Sequence, residues 1–418
     1  MKIIRDSEGN IMLSEKPVLM VFPFGYLAHY LRCIALARYL KPYYTVIFAS
    51  HKAYDKFIEK EGFGSFHCTS LNEAEVLKKV RRFDFSWLAE EDLEDVLISQ
   101  AAAIKAYKPA AVLGDACPTL RMATEMAEVP YISLMNGYMS QYYAGTRSLS
   151  RTHSIYPLMS LMPAAIRQVA TNAGESFTFR KVHEPFRQLR RKYKLSLRHT
   201  YLEEMEGDHN LLCDLEELFP QKENLPDNYT LLAPLIYDDH TSSKDILNRL
   251  DPAKKTIYVS MGSTGDWRGV SFLNDARLAR YNIITAGDPD AVLNASHIIN
   301  AGFVNVHDVF PHTDLAICHG GNGTIYQSLT HGVPLLCKTT HFEQEWNVDA
   351  VERIGAGLSL DDVAGIDNYM AIIAAWIDRK QSGRCNDLRE KIKDSVQSIE
   401  QKLGEIVYKL NAAEATAV

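Results

Sequence analysis

Short, continuous apolar runs alternate along this chain with longer segments whose apolar residues recur at helical spacing. The run 18–22 ends at Pro23 and reads as a strand buried on both faces, as in a parallel sheet. Leu31, Ile34, Ala35 and Tyr39 then line one side of a helix over 30–40. The alternation continues with a strand at 44–49, a helix at 52–61, a strand at 110–113 ending at Asp115, a helix at 120–127 and a strand at 131–134. Strands separated by helices imply a doubly wound parallel sheet, an α/β fold. The pattern restarts near Lys255, with strands at 256–260, 282–285, 314–318 and 333–337 forming a second sheet. The polar, Asp- and Ser-rich stretch 238–253 between the two series reads as a linker. A last helix over 386–411 has no strand after it and leads into a small-residue tail expected to fray.

Length agrees with this division, because 418 residues at 46% apolar and 23% charged exceed one ordinary core and suit two. The expected organisation is a first domain over 1–237, the linker, a second domain over 254–385, and a C-terminal helix with its tail over 386–418. No apolar run approaches the roughly 18 residues of a membrane span. Residues 1–16 are polar and charged, without the apolar core of a secretory signal. The seven cysteines, at 33, 68, 117, 213, 318, 337 and 385, include no Cys-x-x-Cys pair and read as reduced, mostly buried thiols, so a cytoplasmic protein is expected. A net charge of −7 argues against general nucleic-acid binding. That charge is uneven. The window 147–198 holds eleven Lys/Arg against Glu175 and Glu184, a net +9, so the rest of the chain carries −16.

The most specific stretch follows the strand at 314–318. His319, Gly320 and Gly321 form a turn into a helix-like segment carrying Asn322, Gly323, Thr324 and Gln327, and Gly332, Val333 and Pro334 come next. Glu343, Gln344 and Asn347 lie about two dozen residues beyond the turn. A strand that delivers backbone N–H groups to a helix N-terminus is a phosphate-binding device, and glycines let the chain approach the phosphate closely. Alone, His-Gly-Gly is a common tight turn, Thr324 an N-cap and Glu343 a solvated first-turn carboxylate. Together at these offsets, the block resembles the nucleotide-sugar signature of the family 1 glycosyltransferases, which include antibiotic, macrolide and plant small-molecule transferases.

That resemblance implies the GT-B architecture: two Rossmann-like domains facing across a cleft, with the last helix crossing back to the first domain. It implies a first half that binds an acceptor and a second that binds a nucleotide-sugar donor. Gly262 and Ser263, after the strand at 256–260, match the loop beside the donor phosphates. His319, Gly320, Gly321, Asn322, Gly323 and Thr324 match the phosphate cradle, where imidazole, amides and a hydroxyl offset diphosphate charge. Glu343 and Gln344 match the pair that hydrogen-bonds the donor sugar. Gln327 stands where the family commonly has a ribose-binding glutamate, and Asn305 with Val306 where it has Pro-Gln; Lys338, Thr339 and Thr340 also depart from its usual proline.

In the first half the family's general base is a histidine after a glycine; here His29 follows Ala28. An acceptor hydroxyl is a poor nucleophile at neutral pH and needs a base such as imidazole. Asp115, at the carboxyl end of its strand, matches the partner carboxylate that would fix the tautomer and stabilise the imidazolium. The chemistry implied is inverting transfer of a hexose from a UDP- or dTDP-sugar to a small-molecule hydroxyl. No Asp-x-Asp pair stands where a metal would bridge the diphosphate, so a metal-independent reaction without a cofactor is expected.

Among rival readings, a nicotinamide dehydrogenase lacks its Gly-x-Gly-x-x-Gly after the first strand. A nucleotide-sugar epimerase or a non-catalytic auxiliary protein on the same scaffold remain alternatives. The acceptor pocket is expected within 136–201, with Tyr138, Tyr142 and Tyr143 as wall residues, although aromatics there more often belong to a core. The basic window reads first as solvated helix faces, with Arg180, Lys181, Arg190, Arg191 and Lys192 pointing to water. Its second reading is a rim that attracts an anionic acceptor or membrane surface, because the mostly apolar stretch 155–169 lies beside it. Against that, no cluster has the density that alone holds a protein on lipid.

Overall fold

A computed structural model describes residues 2–5, 11–14, 16–289, 292–380 and 383–416. Two short strands, β1 (Lys2–Arg5) and β2 (Ile11–Ser14), form a separate antiparallel pair within the polar N-terminal stretch. The chain then divides into two compact units, each around its own parallel sheet.

The first unit is built on β3 (Val18–Pro23), β4 (Thr45–Ala49), β5 (Gly64–Phe66), β6 (Ala111–Asp115), β7 (Tyr131–Met135), β8 (His209–Leu212) and β9 (Tyr229–Leu231). Their spatial order is β5-β4-β3-β6-β7-β8-β9, all parallel. Every residue of β3, β6 and β7 is buried, which is why these strands appear in the sequence as continuous apolar runs. One core packs Val18, Met20, Phe22 and Val112 with Leu93, Leu97 and Ile104 of the helix Glu90–Tyr107 and with Leu120 and Met122. That helix and the outer strands β5, β8 and β9 are not marked by the apolar runs. Strands of three or four residues are too short to show a periodicity.

The second unit holds β10 (Thr256–Ser260), β11 (Asn282–Thr285), β12 (Ile298–Asn300), β13 (Leu315–Cys318), β14 (Leu335–Cys337) and β15 (Gly357–Ser359) in the order β12-β11-β10-β13-β14-β15, again all parallel. It includes the stretch 238–253, which therefore does not stand apart as a linker. Hydrogen bonds fix it there: Asp308 accepts from the Ser243 N–H at 2.8 Å, and Asn305 donates to the Thr241 carbonyl at 2.9 Å. Residues 148–153 also belong to this unit. Glu345 accepts from the Arg151 N–H at 3.0 Å, and the Trp346 indole donates to the Ser148 carbonyl at 2.8 Å.

The single helix expected over 386–411 is two, Gly383–Gln397 and Ile399–Thr416. The break falls where the chain leaves the second unit for the first, with the boundary at Val396, so 386–395 stay with the second unit. Within the first unit Lys402 donates to the Leu231 carbonyl at 2.8 Å. The final helix continues through Thr416 into the tail expected to fray, and 417–418 lie outside the described residues. All seven cysteines are free and six are buried.

Candidate active site

Both sheets share one topological feature. In the first, the chain runs from β3 outward to β4 and β5, then returns to the other side of β3 as β6. In the second, β10 and β13 are related in the same way. At such switch points the loops after the two strands diverge and leave a crevice at the carboxyl ends, where open α/β sheets bind ligands. His29 and Asp115 follow and end β3 and β6; Gly262 and His319 follow β10 and β13. His29, Asp115, Gly262 and His319 thus occupy the switch points of their units.

In the first unit, the Phe24 N–H donates to the Asp115 carbonyl at 3.0 Å and ties the loop after β3 to the end of β6. The helix Leu27–Leu40 begins there, with His29 in its first turn. His29 Nδ1 lies 2.9 Å from Asp115 Oδ1, and the ring is about one-fifth exposed (20%). Since carboxylates only accept, Nδ1 carries a hydrogen, and in the neutral form of the ring this leaves the lone pair on Nε2. Asp115 is fully buried. Burial by itself would raise its pKa, but Arg32 and then His29 outweigh this and hold the carboxyl down at about 2.

Arg32 is the residue that sequence reasoning missed. Its Nε donates to Asp115 Oδ2 at 2.8 Å and a terminal nitrogen pairs with Oδ1, a bidentate contact. Its other nitrogen donates to the Asn136 side-chain oxygen and lies 3.2 Å from Cys213 Sγ. Asp115 is therefore not reserved for His29, as expected, but shared with a buried guanidinium that fixes both its oxygens. The signal was present: residues 29 and 32 are three apart on one helix and share a face.

The tyrosines expected in an acceptor pocket belong mainly to the core. Tyr138 and Tyr143 are buried and both pack on Phe219, with ring centroids 5.1 and 6.1 Å away. Tyr142 packs edge-on against Tyr229 at 5.2 Å. The β7–β8 connection must cover the end of the sheet, and large aromatic rings do so by burial.

In the second unit, the chain turns sharply after β10 and β13. Gly262 has φ +54° and Gly320 φ +83°, both in the left-handed region that glycine adopts without strain. The His319 ring fills the space between these turns. A Cβ on Gly262 would lie 2.5 Å from His319 Cε1, and one on Gly321 would lie 2.3 Å from Nε2. The glycines therefore make room for an imidazole as well as for backbone approach. Asn347 donates to the Gly320 carbonyl at 3.0 Å and holds the turn. The helix Asn322–Thr330 starts at Gly321, carrying half-buried Thr324 and Gln327, while Gly323, Gly262 and Ser263 are exposed.

His319 is only 7% exposed. Burial lowers its pKa to about 4, partly offset by the Ser260 carbonyl, so the ring is neutral at pH 7. It can donate one hydrogen bond to a phosphate oxygen, so any part it takes in offsetting diphosphate charge is that of a neutral donor.

Gln344 is buried and engaged internally. Its oxygen accepts from the Thr340 N–H at 2.7 Å and its nitrogen donates to Thr264 Oγ1 at 3.1 Å. It braces the loop after β10 against the one after β14. Glu343, beside it in the first turn of the helix Phe342–Arg353, is half-buried. Lys338 and Thr339, where the chain departs from the family pattern, are held by Asp361: Thr339 Oγ1 donates to its carboxylate at 2.7 Å, and Lys338 Nζ to its carbonyl at 3.2 Å.

The family model described as UDP-glucoronosyl and UDP-glucosyl transferase matches residues 303–368, the span that contains the His319 turn and Gln344. The chain is 24% identical over 362 residues to a PGL/p-HBAD biosynthesis rhamnosyltransferase of Mycobacterium bovis, covering 85% of this chain and 79% of that one. It is 26% identical over 368 residues to a PGL/p-HBAD biosynthesis glycosyltransferase of Mycobacterium tuberculosis, covering 82% and 80%. Among solved structures, the spinosyn rhamnosyltransferase SpnG complexed with thymidine diphosphate superposes with a TM-score of 0.64 at 17% identity, over 92% of this chain and 99% of that one.

Proposed function

We propose that this chain, a glycosyltransferase that resembles family 1 and shares the GT-B fold, transfers a deoxyhexose of the rhamnose type from a dTDP-sugar to a hydroxyl of an apolar small molecule. The observation that carries the reading is His29, partly exposed and oriented by a buried carboxylate at 2.9 Å. Rhamnosyl transfer by one relative and the thymidine diphosphate complex of one structural neighbour support the choice of donor.

In this reading the acceptor hydroxyl gives its proton to His29 Nε2 as its oxygen attacks the anomeric carbon. Asp115 holds the ring in the tautomer that leaves Nε2 free, and Arg32 keeps Asp115 ionised and fixed. The bond to the nucleoside diphosphate breaks as the new glycosidic bond forms. A single displacement of this kind inverts the anomeric centre. The leaving diphosphate is stabilised by donors rather than by a cation: amides at the start of the helix Asn322–Thr330, the neutral His319 N–H and the Thr324 hydroxyl.

The test is release of nucleoside diphosphate from dTDP-rhamnose and from UDP-glucose, with phenols and macrolactone alcohols as acceptors, and the anomeric configuration of the product read by NMR. Expected are preference for the dTDP-sugar and inversion. A retained configuration, or transfer that persists in His29→Ala, would sink the mechanism.

A further inference from the structure

The helix Ala164–Val182 is packed the wrong way round for a core element. Only Val182 is buried. Its inner side carries Thr171, Glu175, Thr178, Phe179 and Val182, which fall on one face at helical spacing. That face is held by Arg147, which pairs with Glu175 and lies over the Phe179 ring. The opposite face carries Ile166, Val169, Ala173 and Phe177, spaced i, i+3, i+7 and i+11, and all are exposed. Val169 is 71% and Phe177 68% exposed. The preceding helix, Tyr156–Ser160, and its flanks add Ile155, Leu158 and Leu161, the last 84% exposed.

Isolated exposed apolar residues are ordinary, whereas a row along two consecutive helices indicates a surface with a partner. The charges beside it indicate which partner. Arg167, Arg180 and Lys181 flank the stripe, are exposed, and have no ion partner among the described residues. The acidic residues of these segments are engaged: Glu175 with Arg147, and Glu184 with Arg187. The window is net +9 in a chain whose remainder is −16. An anionic surface would therefore attract this face and repel the rest of the molecule, which fixes the orientation of approach.

We propose that residues 155–181 form an interfacial docking surface for an anionic lipid bilayer, with Leu158, Leu161, Ile166, Val169 and Phe177 entering the headgroup region and Arg167, Arg180 and Lys181 contacting lipid phosphates. The density of basic residues alone is too low for this. The apolar stripe supplies the second contribution that stable peripheral binding requires. The charge run is in any case not all free: Arg190 is fully buried against Glu204 and Glu125, and Lys192 is paired with Glu94 at 2.6 Å.

The experiment is co-sedimentation of the full chain with phosphatidylglycerol-rich vesicles and with pure phosphatidylcholine vesicles, at low and high salt. The wild-type chain should bind the anionic vesicles only and be released by salt. Combining Arg167→Gln, Arg180→Gln and Lys181→Gln should weaken binding by about fivefold per charge removed. Combining Leu158→Ser, Leu161→Ser, Ile166→Gln, Val169→Gln and Phe177→Gln should abolish it, with thermal melts showing the fold intact. Failure of the wild type to bind, or unchanged binding by the charge variant, overturns the proposal. So does a fall in molar mass of the apolar variant by light scattering, which would mean that a second copy of the chain covers this face.

Discussion

Each unit places a histidine at the switch point of its sheet, after the first switch-point strand in one and after the second in the other, and the two rings lie in opposite environments. His29 follows the strand at the switch point of the first sheet, has a carboxylate 2.9 Å from one nitrogen, and is partly exposed. His319 follows the corresponding second strand of the second sheet, is 93% removed from solvent, and is held neutral by burial with a pKa of about 4. One ring is hydrogen-bonded to a buried carboxylate; the other is held neutral by burial and left as a hydrogen-bond donor. The comparison teaches that residue type and position in the fold do not assign a role. The charge and the water around the ring do.

The largest effect should come from breaking the first environment. His29→Ala is expected to lower kcat by about 10²–10⁴-fold, with dTDP affinity by calorimetry unchanged because the proposed donor site is in the other unit. Equal turnover in this variant would remove His29 from the mechanism.

Next in size is Arg32→Gln. Removing one partner of a buried ion pair leaves Asp115 insufficiently compensated, at a cost of about 3–5 kcal/mol in unfolding free energy. Arg32→Lys should recover part of that stability without the bidentate geometry, and its kcat–pH profile should shift relative to wild type. A melt within about 0.5 kcal/mol of wild type would show that the pair is not structural.

For the second environment, His319→Ala should weaken nucleoside diphosphate binding by about tenfold, the value of one hydrogen bond between a neutral donor and a charged group. His319→Gln should retain most of the affinity, since an amide N–H can replace a neutral imidazole N–H. A cationic role would instead predict loss in both variants and binding that strengthens as pH falls.

The smallest expected effect is a difference in stability with pH. The folded pKa of His319 lies below its unfolded value of about 6.5, so the unfolded chain binds the proton first. Its contribution is intact above about pH 6.5 and is lost as pH falls towards about 4. Asp115, with a folded value of about 2, loses its contribution only in a lower window, from about pH 4 downwards. Urea titrations at pH 7, 5.5 and 4.5 should therefore show His319→Gln losing less stability than wild type over that range. Parallel curves would contradict the neutral, buried ring.

Much of the fold and half of the site were legible in the sequence. Fully buried strands must be continuous apolar runs, so β3, β6, β7, β10 and β13 were visible, and with them the two sheets. Glycine at φ +54° and +83° records a backbone need that other residues meet poorly, so the Gly262 and Gly320 turns were visible too. His29 and Asp115 were found because they match the family's base and its partner carboxylate, with Asp115 at the carboxyl end of such a strand. Tertiary structure decided what surrounds them. Arg32 reaches Asp115 across 83 residues of sequence, and Gln344 meets Thr264 across 80. Burial turned Tyr138 and Tyr143 inward, made His319 neutral, and left Val169 and Phe177 on the surface. Sequence encodes the periodicity and backbone freedom of a local segment, because these depend on neighbours along the chain. Charge state, pairing and exposure depend on neighbours in space, which the chain acquires only when its sheets close over their helices.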